Sequence, residues 1–129
     1  MEKTLADFVR EARARIREIT VEEFDEMIEN HDDLLIVDVR EADEYHRGHL
    51  PGALLIPRGL LEGAADAAGQ WRVDQLREAR DRAMVLYCQN GSRSALAADT
   101  LQQMGFEKVY NLAGGVEMWQ AEGYALVSD

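Results

Sequence analysis

Three short, almost unbroken apolar runs constrain this chain more than any other feature: Leu34–Val39, Ala53–Ile56 and Ala83–Tyr87. A strand covered on only one face alternates apolar and polar residues, whereas a strand covered on both faces does not. These runs therefore predict strands of a parallel sheet buried between helices. Val109–Leu112 reads as a further short strand, and Ile19 ends another. Between them lie stretches of helical character. Thr20 and Glu23 form a capping box with Ile19 and Phe24 at the staple positions, so a helix starts there and runs to about Asn30, burying Phe24, Met27 and Ile28. Residues 41–46 allow a turn or two of helix, and 60–80 read as mostly helical, broken at Gly63 and Gly69. A helix from Ser92 to Met104 ends at Gly105, with Phe106 placed to pack on Leu101. Gly114-Gly115 opens a last helix carrying Val116, Met118 and Trp119. Strands and helices alternate about five times, which predicts an α/β domain: roughly five parallel strands with helices on both faces.

Residues 1–16 place Leu5, Phe8, Val9, Ala12 and Ile16 at helical spacing. This segment is read as an amphipathic helical extension packed on a domain spanning 17–129. The 129 residues suffice for one domain with its own core. Fourteen basic against 25 acidic residues leave a net charge of −11, which disfavours nucleic acid and anionic lipid as partners. No apolar run approaches the roughly 20 residues of a membrane-spanning helix. Met1–Arg17 is charged throughout, unlike a secretory leader, so the expected location is the cytoplasm. A single cysteine, Cys88, excludes an intramolecular disulfide.

Cys88 stands at the end of a predicted buried strand, and ligands of open parallel sheets bind beyond the carboxyl ends of strands. The segment that follows is Gln89-Asn90-Gly91-Ser92-Arg93-Ser94. A helix starting near Ser92 offers unpaired N–H groups and the positive end of its dipole. A loop containing Gly91 can curl its amides inward as an anion nest. Arg93 adds a permanent charge. All three favour thiolate over thiol, and the same cradle suits a bound anion. Spacing alone does not name the reaction, because such a thiolate can attack phosphorus, arsenic or sulfur.

Four segments in order resemble the rhodanese-like sulfurtransferases over about Ile19–Tyr124. They are Ile36–Glu41 with Glu44-Tyr45, Gly48-His49-Leu50-Pro51-Gly52-Ala53, Cys88–Ser94, and Leu112-Ala113-Gly114-Gly115 with Trp119. The resemblance implies a sulfurtransferase fold and a persulfide on Cys88, loaded from a small anionic donor such as thiosulfate. A thiophilic acceptor, with cyanide as the assay acceptor, would then take the sulfur. It implies amides of residues 89–93 around the sulfur, Arg93 turned inward, and no metal or organic cofactor. A protein sulfur donor or acceptor also fits. The family holds four residues between cysteine and arginine, whereas related phosphatases and arsenate reductases hold five. Gln89 to Ser92 make four, which favours sulfur. The competing class is a noncatalytic module of this fold, which often lacks the cysteine that this chain keeps.

Other candidates are weighed against plain structural roles. Ser94 either caps the helix or donates to the anion. Asp38 and Arg40 end a strand on the same sheet edge and are read as supporting the neighbouring loops. Arg58 follows another strand and is read either as a basic residue at the mouth, binding the donor as in similar relatives, or as a solvated arginine. His49 is expected to be structural, His31 and His46 to lie on the surface, and Trp71 and Trp119 to be core. A proline often closes the family's last motif. Here Gly123 leads into Tyr124 instead, which leaves the path of the final residues open.

Overall fold

The computed structural model describes residues 1–30 and 33–128. In chain order the elements are α1 (Leu5–Arg13), β1 (Arg17–Ile19), α2 (Val21–Asn30), β2 (Leu35–Asp38), α3 (Ala42–Arg47), β3 (Leu54–Leu55), a 3-10 turn (Arg58–Leu60), α4 (Leu61–Ala65), α5 (Asp74–Arg77), β4 (Met84–Tyr87), α6 (Ser92–Gln103), β5 (Val109–Leu112) and α7 (Gly115–Ala121). The strands form one sheet in the order β1-β5-β4-β2-β3, and every pairing is parallel. The expected architecture is the observed one. Among the described residues no helix is long and apolar enough to cross a membrane.

Strand pleating sorts the core into two layers. On β4, Met84, Leu86 and Cys88 face a cluster with Leu61, Leu76, Ala97 and Leu101 of α4, α5 and α6. Val85 and Tyr87 face the opposite cluster, with Phe24 of α2 and Val116 and Trp119 of α7. Because both faces of β4 are buried, its four residues are all inaccessible to solvent, which is why the run carries no polar alternation. Phe24 meets Trp119 at 5.7 Å between ring centroids, and Tyr124 stacks on the same indole at 4.4 Å. That stack settles the path of the last residues: the chain turns back over α7 and Val127 forms an antiparallel bridge to His49.

α6 ends as its sequence predicts. Gly105 has φ +95°, its N–H donates to Gln102 O, and the Phe106 N–H donates to Leu101 O. α1 begins at a Thr4–Asp7 capping box and lies against α6, where Arg15 holds Asp99 through bonds of 3.0 and 2.7 Å.

Several expectations need correction. The 60–80 segment holds only α4 and α5. The Asp66 side chain and backbone carbonyl accept the N–H groups of Ala68 and Gly69, so the chain turns instead of continuing as helix. Trp71 is not core but 73 % exposed. On α2, Phe24 is buried, Met27 half-buried and Ile28 exposed, because only one stripe of the helix meets the sheet. His31 lies outside the described residues.

Candidate active site

β4 is flanked by β2 and β5, so Cys88 sits at the carboxyl edge near the middle of the sheet. After β2 the chain turns to α3, whose Tyr45 packs with the α2/α7 layer. After β4 it turns to α6 on the other face. The two departures open a crevice between the ends of β2 and β4, and such a point in an open parallel sheet is where ligands bind.

The loop after Cys88 is shaped by local bonds. Asn90 Oδ1 accepts the Ser92 N–H at 3.0 Å, which tightens the turn into α6. Gly91, the N-cap of α6, has φ +96° and ψ −6°, a left-handed conformation that favours glycine. It turns the Gly91 N–H onto Cys88 Sγ at 3.2 Å. Ser94, in the first turn of α6, donates both its N–H and its hydroxyl to the same sulfur, each at 3.4 Å. Cys88 and Ser94 are fully buried. The sulfur is therefore surrounded by one loop amide, one helix-start amide and one hydroxyl, all of which stabilise negative charge on it.

The carbonyl side of the same loop is held by α7. Val116 N–H donates to Cys88 O and Glu117 N–H to Gln89 O, both at 3.0 Å. This approach requires Gly115. A Cβ there would lie 2.2 Å from Cys88 O and 2.9 Å from Gln89 O, and φ is +55°. The paired glycines after Leu112 thus have a steric cause.

The sequence candidates fall into distinct roles. Gly91 and Ser94 are brought to the sulfur. Gln89, Asn90 and Ser92 shape the loop instead. Arg93 is turned to Glu44 of α3 rather than to the sulfur, in two bonds of 2.7 and 2.9 Å. Asp38 and Arg40 are a buried ion pair at 2.8 Å, and Asp38 Oδ2 also accepts the Tyr87 hydroxyl at 2.7 Å. Burial, with Asp38 alongside, pushes the Tyr87 hydroxyl well above its ordinary range. Arg40 donates to Gly48 O at 2.7 Å and reaches Gln89 Oε1 at 3.4 Å, so the pair touches two loops. Arg58 donates to Thr100 at 3.1 Å and to Glu62 at 3.0 Å, which fixes it against the flank of α6. His49 is buried and stacked on Tyr45 at 3.9 Å.

Sequence reasoning assigned no role to Glu44, Arg47, Tyr87 or Asn111. Arg47 lines an opening of about 330 Å³ with Arg40, Glu44, Gln89 and Gln120, and its side chain is 72 % exposed. Glu44 carried a readable signal three residues after Glu41, whose N–H it accepts at 3.0 Å. That signal marks a helix start and says nothing of Arg93.

The fold and the site together define a class: a parallel α/β domain with a lone buried cysteine at a strand end, its sulfur met by donors at the start of a helix. The model of the Rhodanese-like domain matches residues 20–122, and the chain belongs to that family. It is 32 % identical over 113 residues to a sulfurtransferase of Allochromatium vinosum, spanning 88 % of this chain and 96 % of that one. It is 35 % identical over 109 residues to YrkF of Bacillus subtilis, a candidate sulfur carrier protein, covering 84 % of this chain but only 54 % of that longer one. Among solved structures, RPA3614 of Rhodopseudomonas palustris superposes with a TM-score of 0.90 at 31 % identity, covering 98 % of this chain and 96 % of that one. That protein is described as of unknown function and a possible tyrosine phosphatase.

Proposed function

We propose that the protein moves sulfane sulfur through a persulfide on Cys88, with thiosulfate as a competent donor. The observation that carries this reading is the buried sulfur held by Gly91 N–H and by the N–H and hydroxyl of Ser94. The Cys88 thiolate attacks the outer sulfur of thiosulfate. A Cys88 S–S bond forms, the S–S bond of thiosulfate breaks, and sulfite leaves with the electron pair of that bond. In the second half-reaction cyanide attacks the terminal sulfur, thiocyanate departs, and the thiolate is restored. Two half-reactions through one covalent intermediate give ping-pong kinetics. The groups that hold the thiolate also stand ready for the charge of the persulfide. This chemistry asks for no metal or organic cofactor, and a protein persulfide can replace thiosulfate as donor.

The four-residue spacer from Gln89 to Ser92 supports sulfur over a phosphate ester as the group attacked. The likeness to RPA3614 makes phosphatase activity the reading to test beside it. Intact mass after incubation with thiosulfate should rise by one sulfur atom, and cyanide should remove it. Hydrolysis of an aryl phosphate without any sulfur adduct would replace the sulfurtransferase reading with the phosphatase one.

A further inference from the structure

Asn111 is the one fully buried asparagine among the described residues, set in the strand β5 beside Cys88's own strand. Its Nδ2 donates to Glu18 Oε2 at 2.8 Å and to Gly91 O at 3.2 Å, a carbonyl that also accepts the Ala95 N–H of α6 at 3.1 Å, so Asn111 adds a second, sideways hold on that peptide. Both neighbours are pure acceptors, which fixes the orientation of the amide with its nitrogen toward them. Asn111 Oδ1, in turn, is buried with no hydrogen-bond partner among the described residues. A buried orphan carbonyl is costly, and an aliphatic residue would suit a covered strand better. The side chain is thus poorly explained by the stability of β5 and well explained by what its nitrogen holds.

Gly91 O belongs to the peptide that follows Gly91, and the Gly91 N–H on the sulfur belongs to the peptide that precedes it. Fixing the first peptide at φ +96° and ψ −6° fixes the direction of the second. The grip extends outward. Glu18 of β1 also accepts Arg13 Nε of α1 at 3.2 Å, and Arg13 Nη2 stands 3.5 Å from where a Gly91 Cβ would be. Arg13 and Glu18 both precede the segment matched by the family model, which starts at residue 20.

We infer that Asn111 is a positioning residue for sulfur transfer, aiming the Gly91 amide at Cys88 Sγ, and that Glu18 and Arg13 steady it from outside the family-matched segment. The inference rests on the sulfurtransferase reading for its kinetic consequence and on geometry alone for its structural one.

The test uses full-length protein carrying Asn111→Leu, Glu18→Ala or Glu18→Gln. In single-turnover loading from thiosulfate, Asn111→Leu should slow the maximal rate about three- to tenfold, the equivalent of one hydrogen bond, with half-saturation nearly unchanged. Glu18→Ala should slow it less, and Glu18→Gln, which keeps an acceptor for Nδ2, should restore it. Amide exchange supplies a readout independent of sulfur chemistry: the Gly91 N–H should exchange faster in Asn111→Leu while β4 amides keep their protection. Wild-type loading together with wild-type Gly91 exchange in a folded Asn111→Leu protein would overturn the inference. Failure of the wild-type protein to load at all would overturn the sulfurtransferase reading instead, and the exchange data would then decide the positioning role alone. If Asn111→Leu does not fold, the Glu18→Ala and Glu18→Gln pair decides it by the same two readouts: equal Gly91 exchange in both would overturn it.

Discussion

Arg93 and Glu44 clasp each other across the crevice between α6 and α3, their guanidinium and carboxylate joined by parallel bonds of 2.7 and 2.9 Å. The pair ties the far end of the Cys88 loop to the helix that follows β2. It also takes up the arginine that closes the four-residue spacer. Fork-to-fork geometry of this kind is among the stronger ion pairs, although both partners here are partly exposed.

Cys88→Ser should abolish sulfur transfer from thiosulfate to cyanide and leave the fold intact. Cys88 is the only thiol, and a hydroxyl fits its space. Thiocyanate release by the purified, folded variant at close to the wild-type rate would contradict a persulfide on this residue.

Acid should loosen the crevice through Glu44. The hydrogen bonds from Arg93, partly opposed by burial and aided by the Glu41 N–H, hold its carboxyl down to about 2 from an ordinary 4.5. A carboxyl depressed in the folded state adds stability above its unfolded value, and that stability is lost as pH falls through the folded value. With solvent screening, the pair contributes about 1–2 kcal/mol at neutral pH. Urea unfolding of the wild type and Glu44→Gln should show this difference at pH 7 and its decline between about pH 4.5 and 2. A difference that stays constant over that window would mean the pair's charge is irrelevant.

Gly115→Ala should damage both stability and activity. The added carbon would stand 2.2 Å from Cys88 O, a backbone atom that cannot move without moving the loop. A loss of about 2–4 kcal/mol is expected. Gly123→Ala serves as the control, at φ +94° and so with the backbone penalty but nothing within 4 Å, and should lose about 1 kcal/mol with normal sulfur transfer. Equal losses in thermal unfolding would remove the steric explanation of the paired glycines.

The basic residues at the mouth can be separated by salt. Arg58, engaged with Thr100 and Glu62, should tolerate Ala with little change in KM for thiosulfate. Arg47, exposed at the opening that Gln89 also lines, pairs with Asp43 only at 3.5 Å on an open surface, so under the thiosulfate reading it is the cation left to offset a net charge of −11 there. Arg47→Ala should raise KM several-fold, spare kcat and flatten the salt dependence of kcat/KM. A several-fold KM effect at Arg58 instead would return the donor-binding role to it.

The sequence by itself determined what local chemistry controls. Short apolar runs without alternation, set between turn signals, point to strands covered on both faces, as Met84–Tyr87 is. The ending of α6 at Gly105-Phe106 and the turn at Gly91 were legible because glycine's positive φ leaves a signature at fixed spacing. Cys88 and its loop were legible for the same reason, since thiol, glycine and helix start are neighbours in sequence. Only the tertiary structure decided which distant groups meet. Arg93 met Glu44, 49 residues away, and not the sulfur. Trp71 stayed outside because the Asp66 turn sends its segment across the surface. Asn111, 20 residues from Gly91, became the loop's anchor because parallel pairing of β4 and β5 sets their ends side by side. Side-chain partners across a sheet edge depend on strand order and helix placement. Those follow from the packing of the whole chain, which no local pattern encodes.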